Sequence, residues 1–92
     1  KPLEPGALGE RVMVSIQGLK NFQDFQSVES ELDKIFAIKS RSFHTFERTK
    51  IDYLAQLFQT KDSLMKELRG STKFLIKEYN ADKNQLKLEY LN

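Results

Sequence analysis

Residues 11–36, RVMVSIQGLKNFQDFQSVESELDKIF, constrain the fold most strongly, because two different periodicities follow each other within this stretch. Residues 12–17 alternate, with Val12, Val14 and Ile16 on one side, as a half-buried β-strand requires. Asn21 is a favourable helix N-cap, and the apolar residues after it recur at helical spacing as far as Phe36. Those residues are Phe22, Phe25, Val28, Leu32, Ile35 and Phe36. The stretch predicts a β-α unit interrupted at Gly18.

The next segment, residues 37–57, predicts two strands joined by a polar hairpin connection at 47–50. Ile38 and Phe43 are expected to be buried, and the interval between them breaks strict alternation in the manner of a β-bulge. Alternation resumes at Ile51 and continues to Leu57, which predicts a third strand paired antiparallel with the second.

The last third of the chain predicts a short helix and a second hairpin. Thr60 or Asp62 caps the helix, and Gly70 stops it. A fourth strand begins at Phe74, residues 80–84 form a turn, and alternation over 86–90 predicts a fifth strand.

The predicted order is β-α-β-β-α-β followed by an extra C-terminal strand. Two β-α-β halves joined by a hairpin indicate an α+β, ferredoxin-like fold, with an antiparallel sheet and two helices on one face. We expect the fifth strand to extend an edge of that sheet. Residues 1–10 contain both prolines and two of the four glycines, so they predict a flexible linker or arm before a single domain at 11–92.

Composition limits the function classes. The chain has no cysteine, which excludes disulfides, thiolate metal sites and cysteine nucleophiles. Its formal net charge of +2 is too balanced to imply a polyanionic partner. No apolar run approaches the ~20 residues that span a bilayer, so we predict no membrane insertion by this segment. Because the chain begins at Lys1, we expect it to be an excised piece of a larger protein or a processed product.

No residue pattern indicates catalysis. His44 is the sole histidine, and Ser42 and Thr45 beside it lie on a predicted strand without a glycine elbow or an oxyanion loop. Gly18 stands alone, without the further glycines or the lysine of a phosphate-binding loop. The acidic residues are interspersed with lysines, as on a solvated surface. We therefore predict a protein that is not an enzyme, with no catalytic residues, cofactor or metal.

An apolar group on the open sheet face predicts a partner surface. If the alternating residues of the third strand face the helices, Leu54 and Phe58 point away from them, with Met13 of the first strand nearby. The sequence thus favours a non-catalytic module that docks a protein partner, or a second copy as a dimer, through the open face or a sheet edge.

The alternative function is a regulatory domain that binds nucleic acid or a small ligand. Lys39, Arg41, Arg48 and Lys50 form a basic group around the first hairpin that could contact phosphates. The third strand, KIDYLAQLFQ, lacks the aromatic motif of RNA-recognition domains of similar topology, and this absence makes nucleic acid the less favoured partner.

A family resemblance adds to these interpretations. The V-x-V-x-I-x-G-L opening, the F-x-x-V-x-x-x-L helix and the D-S-L-x-x-x-L second helix, with the final hairpin, resemble small ferredoxin-like modules of bacterial envelope proteins. Such modules occur in flagellar assembly lipoproteins and in periplasmic parts of secretion or pilus systems. The resemblance covers most of residues 11–91 and implies a protein–protein or scaffold role in the periplasm or cell envelope. A cytoplasmic location is the alternative.

Overall fold

The computed structural model describes residues 10–91, so residues 1–9 of the linker predicted for residues 1–10 lie outside the described residues. Two helices and five strands follow in the predicted order. They are β1 (Arg11–Gln17), α1 (Phe22–Asp33), β2 (Ile38–Glu47), β3 (Lys50–Leu57), α2 (Lys61–Arg69), β4 (Phe74–Asn80) and β5 (Gln85–Tyr90). The helix α1 ends at Asp33 and does not reach Phe36, where the apolar periodicity ends. The predicted irregularity in β2 is confirmed by a register shift between Ile38 and Ser40.

The sheet has the strand order β2-β3-β1-β5-β4. β1 is central and pairs antiparallel with β3 and parallel with β5. The prediction that the fifth strand extends an edge is wrong, since β5 lies between β1 and β4, and β4 takes the edge. The protein is therefore an α+β domain with a mostly antiparallel sheet. Its strand order departs from two simply interlocked β-α-β halves, in which β4 would lie beside β1.

Side-chain burial explains the inner position of β5. Leu86 and Leu88 lie opposite Val14 and Ile16 of β1, and all four are at most 2% exposed. On β4 only Phe74 is fully buried. The strand with the more completely apolar side gains more by lying against the centre of the sheet, because burial stabilises in proportion to the apolar area removed from water.

One face of the sheet carries the hydrophobic core, and both helices contribute to it. Val28 and Leu32 come from α1, and Leu64 and Leu68 come from α2. The sheet residues of the core are Val12, Val14, Ile16, Ile51, Tyr53, Ala55, Leu57, Phe74, Leu86, Leu88 and Tyr90. The two helices therefore share one face, as the sequence predicts.

Two glutamates from distant parts of the sequence satisfy backbone groups at the ends of the helices. Thr60 occupies the N-cap position of α2 but makes no side-chain cap bond there. The Glu10 carboxylate instead accepts the Lys61 N–H at 2.8 Å. The Glu67 carboxylate of α2 accepts the N–H groups of Phe36 and Ala37 at 2.8 and 3.0 Å, which ties α2 to the segment after α1. The Lys61 N–H is one of the donors that the first turn of a helix leaves unpaired, whereas the Phe36 and Ala37 N–H groups belong to the loop after α1.

Gly18 is required where the chain leaves β1. Its φ is +93°, a value that favours glycine, and a Cβ placed on it would lie 3.2 Å from the Tyr90 carbonyl oxygen of β5. Gly70 differs, since its φ is −87° and an added Cβ would meet the Glu67 carbonyl oxygen at an ordinary 3.6 Å.

We predict that Gly18→Ala lowers the free energy of unfolding by about 1–3 kcal/mol, through backbone strain and the close approach to β5. The matched control, Gly70→Ala, should leave it unchanged or raise it by up to about 1 kcal/mol. Urea denaturation followed by circular dichroism measures both. Equal effects of the two substitutions would show that the backbone at Gly18 is not strained by a side chain.

Candidate functional site

Arg41 of β2 connects the edge strand to α1. Its guanidinium donates to Asp33 Oδ1 and to Glu29 Oε1, both at 2.7 Å. It also lies over the Tyr53 ring of β3, at 5.7 Å from the centroid. The Tyr53 hydroxyl donates a hydrogen bond to the other Glu29 carboxylate oxygen. These four side chains fix α1 against β2 and β3, since a guanidinium fork matches carboxylates in a defined geometry.

The pKa values of this cluster follow from its partners. Burial raises the pKa of Tyr53 well above its ordinary value, and the hydrogen bond to Glu29 and the charge of that carboxylate raise it further. Burial would lower the pKa of Arg41, but hydrogen bonds to Asp33 and Glu29 outweigh this effect and raise it. Arg41 is therefore held charged and is paired within the domain.

A groove lies beside this cluster, between the N-terminal half of α1 and the second half of β2. Its volume is about 420 Å³. Four phenylalanines form its apolar wall, and the cationic residues Lys20 and Arg48 line it as well. The lining residues are Lys20, Asn21, Phe22, Phe25, Phe43, Phe46 and Arg48. We call this feature the Phe groove.

Three of its phenylalanines are more than half exposed. The exposed fractions are 69% for Phe22, 59% for Phe43 and 52% for Phe46. Phe22 and Phe46 each contact Phe25, with ring centroids 5.7 and 5.9 Å apart. Phe25 itself packs against the core, and Phe43 lies edge-on to the buried Tyr53 ring at 6.4 Å. Phe43 was expected to be buried and is not, because β2 is an edge strand that α1 covers only in part. An exposed apolar concavity of this kind is typical of a binding surface.

Local structure positions the residues of the groove. Asn21 is the N-cap of α1, as predicted, and its Oδ1 accepts the Asp24 N–H at 2.9 Å. Asp24 accepts the Lys20 N–H at 2.9 Å, which holds the backbone before the helix. Arg48 lies in the β2–β3 turn with a φ of +46°. A second register shift, between Phe43 and Thr45, allows both Phe43 and Phe46 to lie on the α1 side of the sheet.

The residues predicted as an open-face partner surface are not all together. Met13 and Leu54 lie opposite each other on β1 and β3, away from the helices. Their neighbours on that face are polar, and Lys77–Glu89 and Lys87–Glu78 ion pairs cross it near β4. Phe58 follows the end of β3 and lines a separate hollow with Phe36. The open face therefore offers a small apolar spot instead of a continuous surface.

The predicted basic group is also divided. Arg41 points toward α1 and is paired there, whereas Lys39 is exposed near the start of β2. Lys50 lies at the start of β3, opposite Gln17 and Glu47. Arg48 alone of the four lines the Phe groove. His44 lies at the second register shift of β2 and is exposed.

The sequence does not predict the groove, because helical spacing groups Phe22 with the apolar side of α1 and Phe43 is expected to be buried in β2. The spacing of Phe43 and Phe46 is informative once a bulge is allowed. The two residues are three positions apart, so an uninterrupted strand would place them on opposite faces. A bulge between them predicts two neighbouring aromatics on the same side.

No protein-family model, curated protein or solved structure matches this chain. The resemblance to envelope modules therefore stays a prediction. Within residues 10–91, no helix is long and apolar enough to cross a membrane. The same residues contain no group of three or more histidine, aspartate or glutamate side chains placed to hold a metal ion.

We predict that raising the pH through the ordinary tyrosine range, near 10, lowers the stability of this protein relative to Tyr53→Phe. The folded state keeps Tyr53 protonated while the unfolded state ionises, so stability present below that pH is lost above it. Urea denaturation at a series of pH values measures the difference between the two proteins. In the Glu29→Gln background the pH dependence of this difference should shrink, since the Glu29 charge is one of its causes. A difference that does not change with pH would contradict the assignment.

Proposed function

We propose that this chain is a non-catalytic protein-interaction module and that it docks a partner at the β2 edge of its sheet, in the Phe groove. The observation that carries the proposal is the convergence of three largely exposed phenylalanines on one groove. None of the three belongs to the buried core. Their exposure costs free energy that a partner would recover.

The free energy that a partner would gain by covering the apolar surface of the groove supports docking. Burial of apolar surface stabilises by about 25 cal/mol per Å², so covering about 100 Å² of the groove contributes on the order of 2 kcal/mol before the costs of association. Aromatic side chains dominate the binding energy of many interfaces. The groove therefore supplies an anchor for a side chain of the partner.

The β2 edge favours a partner segment in extended conformation over unlimited self-pairing. An edge strand offers backbone groups to a further strand. The two register shifts of β2 interrupt a regular edge, and natural proteins use such bulges against open-ended association. Recognition then depends on side chains seated in the Phe groove, with main-chain pairing as a smaller contribution. A place in the bacterial envelope is part of this proposal and rests on the sequence resemblance.

The test begins with peptides selected from a displayed random library on the intact protein. We predict that Phe22→Ser and Phe46→Ser each weaken binding of the selected peptides by about tenfold or more, a loss typical of an interface anchor. Both residues are largely exposed, so thermal unfolding should show little change. Fluorescence anisotropy measures the affinities.

Two matched controls locate the site. Phe36→Ser removes a phenylalanine that is even more exposed, lies before β2 and is outside the groove, and Leu54→Ser changes the open sheet face. Neither should alter binding. Peptides that depend on Leu54 and tolerate both groove substitutions would place docking on the open face and contradict the proposal. Association of the protein with itself that Phe46→Ser abolishes would make a second copy the occupant.

A further inference from the structure

We infer that the partner segment carries a carboxylate next to a large apolar side chain, and that Lys20 and Arg48 bind this carboxylate at the Phe groove. The inference rests on the proposed function and specifies the chemistry of its partner. The inference is drawn from the charged side chains that line the groove. A groove that binds only through its aromatic rings would not require these charges.

The groove lining is apolar and cationic, with no acidic member. Its polar side chains are those of Lys20, Arg48 and Asn21, and the Asn21 carbonyl oxygen is already used to cap α1. The nearby Asp24 carboxylate is not among the lining residues and accepts the Lys20 backbone N–H. A ligand in the groove therefore meets two positive charges and no compensating negative charge.

The two cations come from segments that are distant in sequence but lie side by side, since the Leu19 N–H donates to the Thr49 carbonyl oxygen at 3.0 Å. Lys20 precedes α1, and Arg48 belongs to the turn after β2. Among the ion pairs formed within residues 10–91, none includes either of them, whereas Arg41 a few residues away pairs with two carboxylates. The domain thus neutralises Arg41 internally and leaves the cations of the groove for an external anion.

A carboxylate beside an apolar side chain fits this arrangement better than a polyanion. Two cations neutralise one or two negative charges, while nucleic acid presents a phosphate at every nucleotide and is bound by longer basic tracks. Glu47 directly precedes Arg48 in the chain, so the positive charge at the groove does not continue into a longer basic track. A charge-assisted hydrogen bond to one carboxylate needs no such track and, next to an apolar wall, is less screened than on an open surface.

The experiment uses the peptides selected on the intact protein, together with synthetic versions in which each Asp or Glu is replaced by its amide. We expect the selected peptides to place an acidic residue beside a large apolar one. The amide versions should bind about tenfold more weakly to the wild-type protein. Lys20→Gln/Arg48→Gln should weaken binding of the acidic peptide by a similar factor, yet leave binding of the amide version unchanged.

The control variant, Lys39→Gln/Lys66→Gln, removes the same net charge at exposed positions outside the groove. It should change the affinity by less than about twofold, because exposed charges at a distance are screened by salt. If peptides that depend on the groove show no preference for an acidic residue, this inference is wrong and the proposed function stands. The same holds if Lys20→Gln/Arg48→Gln leaves the binding of acidic peptides unchanged.

The experiment gives a different result if the proposed function itself is wrong. If no selected peptide depends on Phe22 or Phe46, both the docking site and its acidic partner are wrong. A single-stranded oligothymidine that displaces the peptides and binds more tightly than they do would assign the groove to nucleic acid and overturn the inference.

Discussion

The pairing of β1 with β3 on one side and with β5 on the other is the constraint on which the rest of the domain depends. Val14 faces Tyr53 and Leu86, and Ile16 faces Ile51 and Leu88, so both of these β1 residues have a buried neighbour on each side. This arrangement closes the core over the middle of the sheet. It also brings Tyr90 of β5 against Gly18, where the chain must turn toward α1 without a side chain in the way. The outer strands β2 and β4 are then held from one side only.

The Phe groove is a consequence of that arrangement. Because β2 lies at the edge of the sheet, Phe43 and Phe46 of β2 and Phe22 of α1 lie at the border of the core and stay more than half exposed. The cluster of Arg41, Glu29, Asp33 and Tyr53 holds α1 at a fixed position over β2, and thereby sets the distance between the walls of the groove. The structural role of the cluster and the proposed binding role of the groove are adjacent but distinct. Function in small α+β domains resides in such local surfaces and does not follow from the fold.

Charge distribution matters here more than net charge. The balance of 15 basic and 13 acidic residues predicts no particular partner. In the folded chain, Arg41 is surrounded by its own acids, and Lys20 and Arg48 lie beside exposed aromatic rings. A local field of one sign next to an apolar surface can select a partner that the total charge does not suggest. The basic group of the first hairpin therefore contains residues in different environments: Arg41 is paired with acidic side chains, and Arg48 lines the Phe groove.

The sequence by itself determined the local elements of this protein. Alternation identified the strands, helical spacing and Asn21 identified α1, and the polar residues at 47–50 and 80–84 identified the turns, because these signals depend on neighbours within a few residues. Strand order, the exposure of Phe22, Phe43 and Phe46, and the partners of Arg41 were decided only by the tertiary structure. Each of them depends on which distant segment lies alongside, and apolar periodicity is the same for a side chain that enters the core and for one that lines a groove at its edge. The β-α unit at residues 11–36 was thus readable as a folding unit, while the Phe groove at its border required the position of β2.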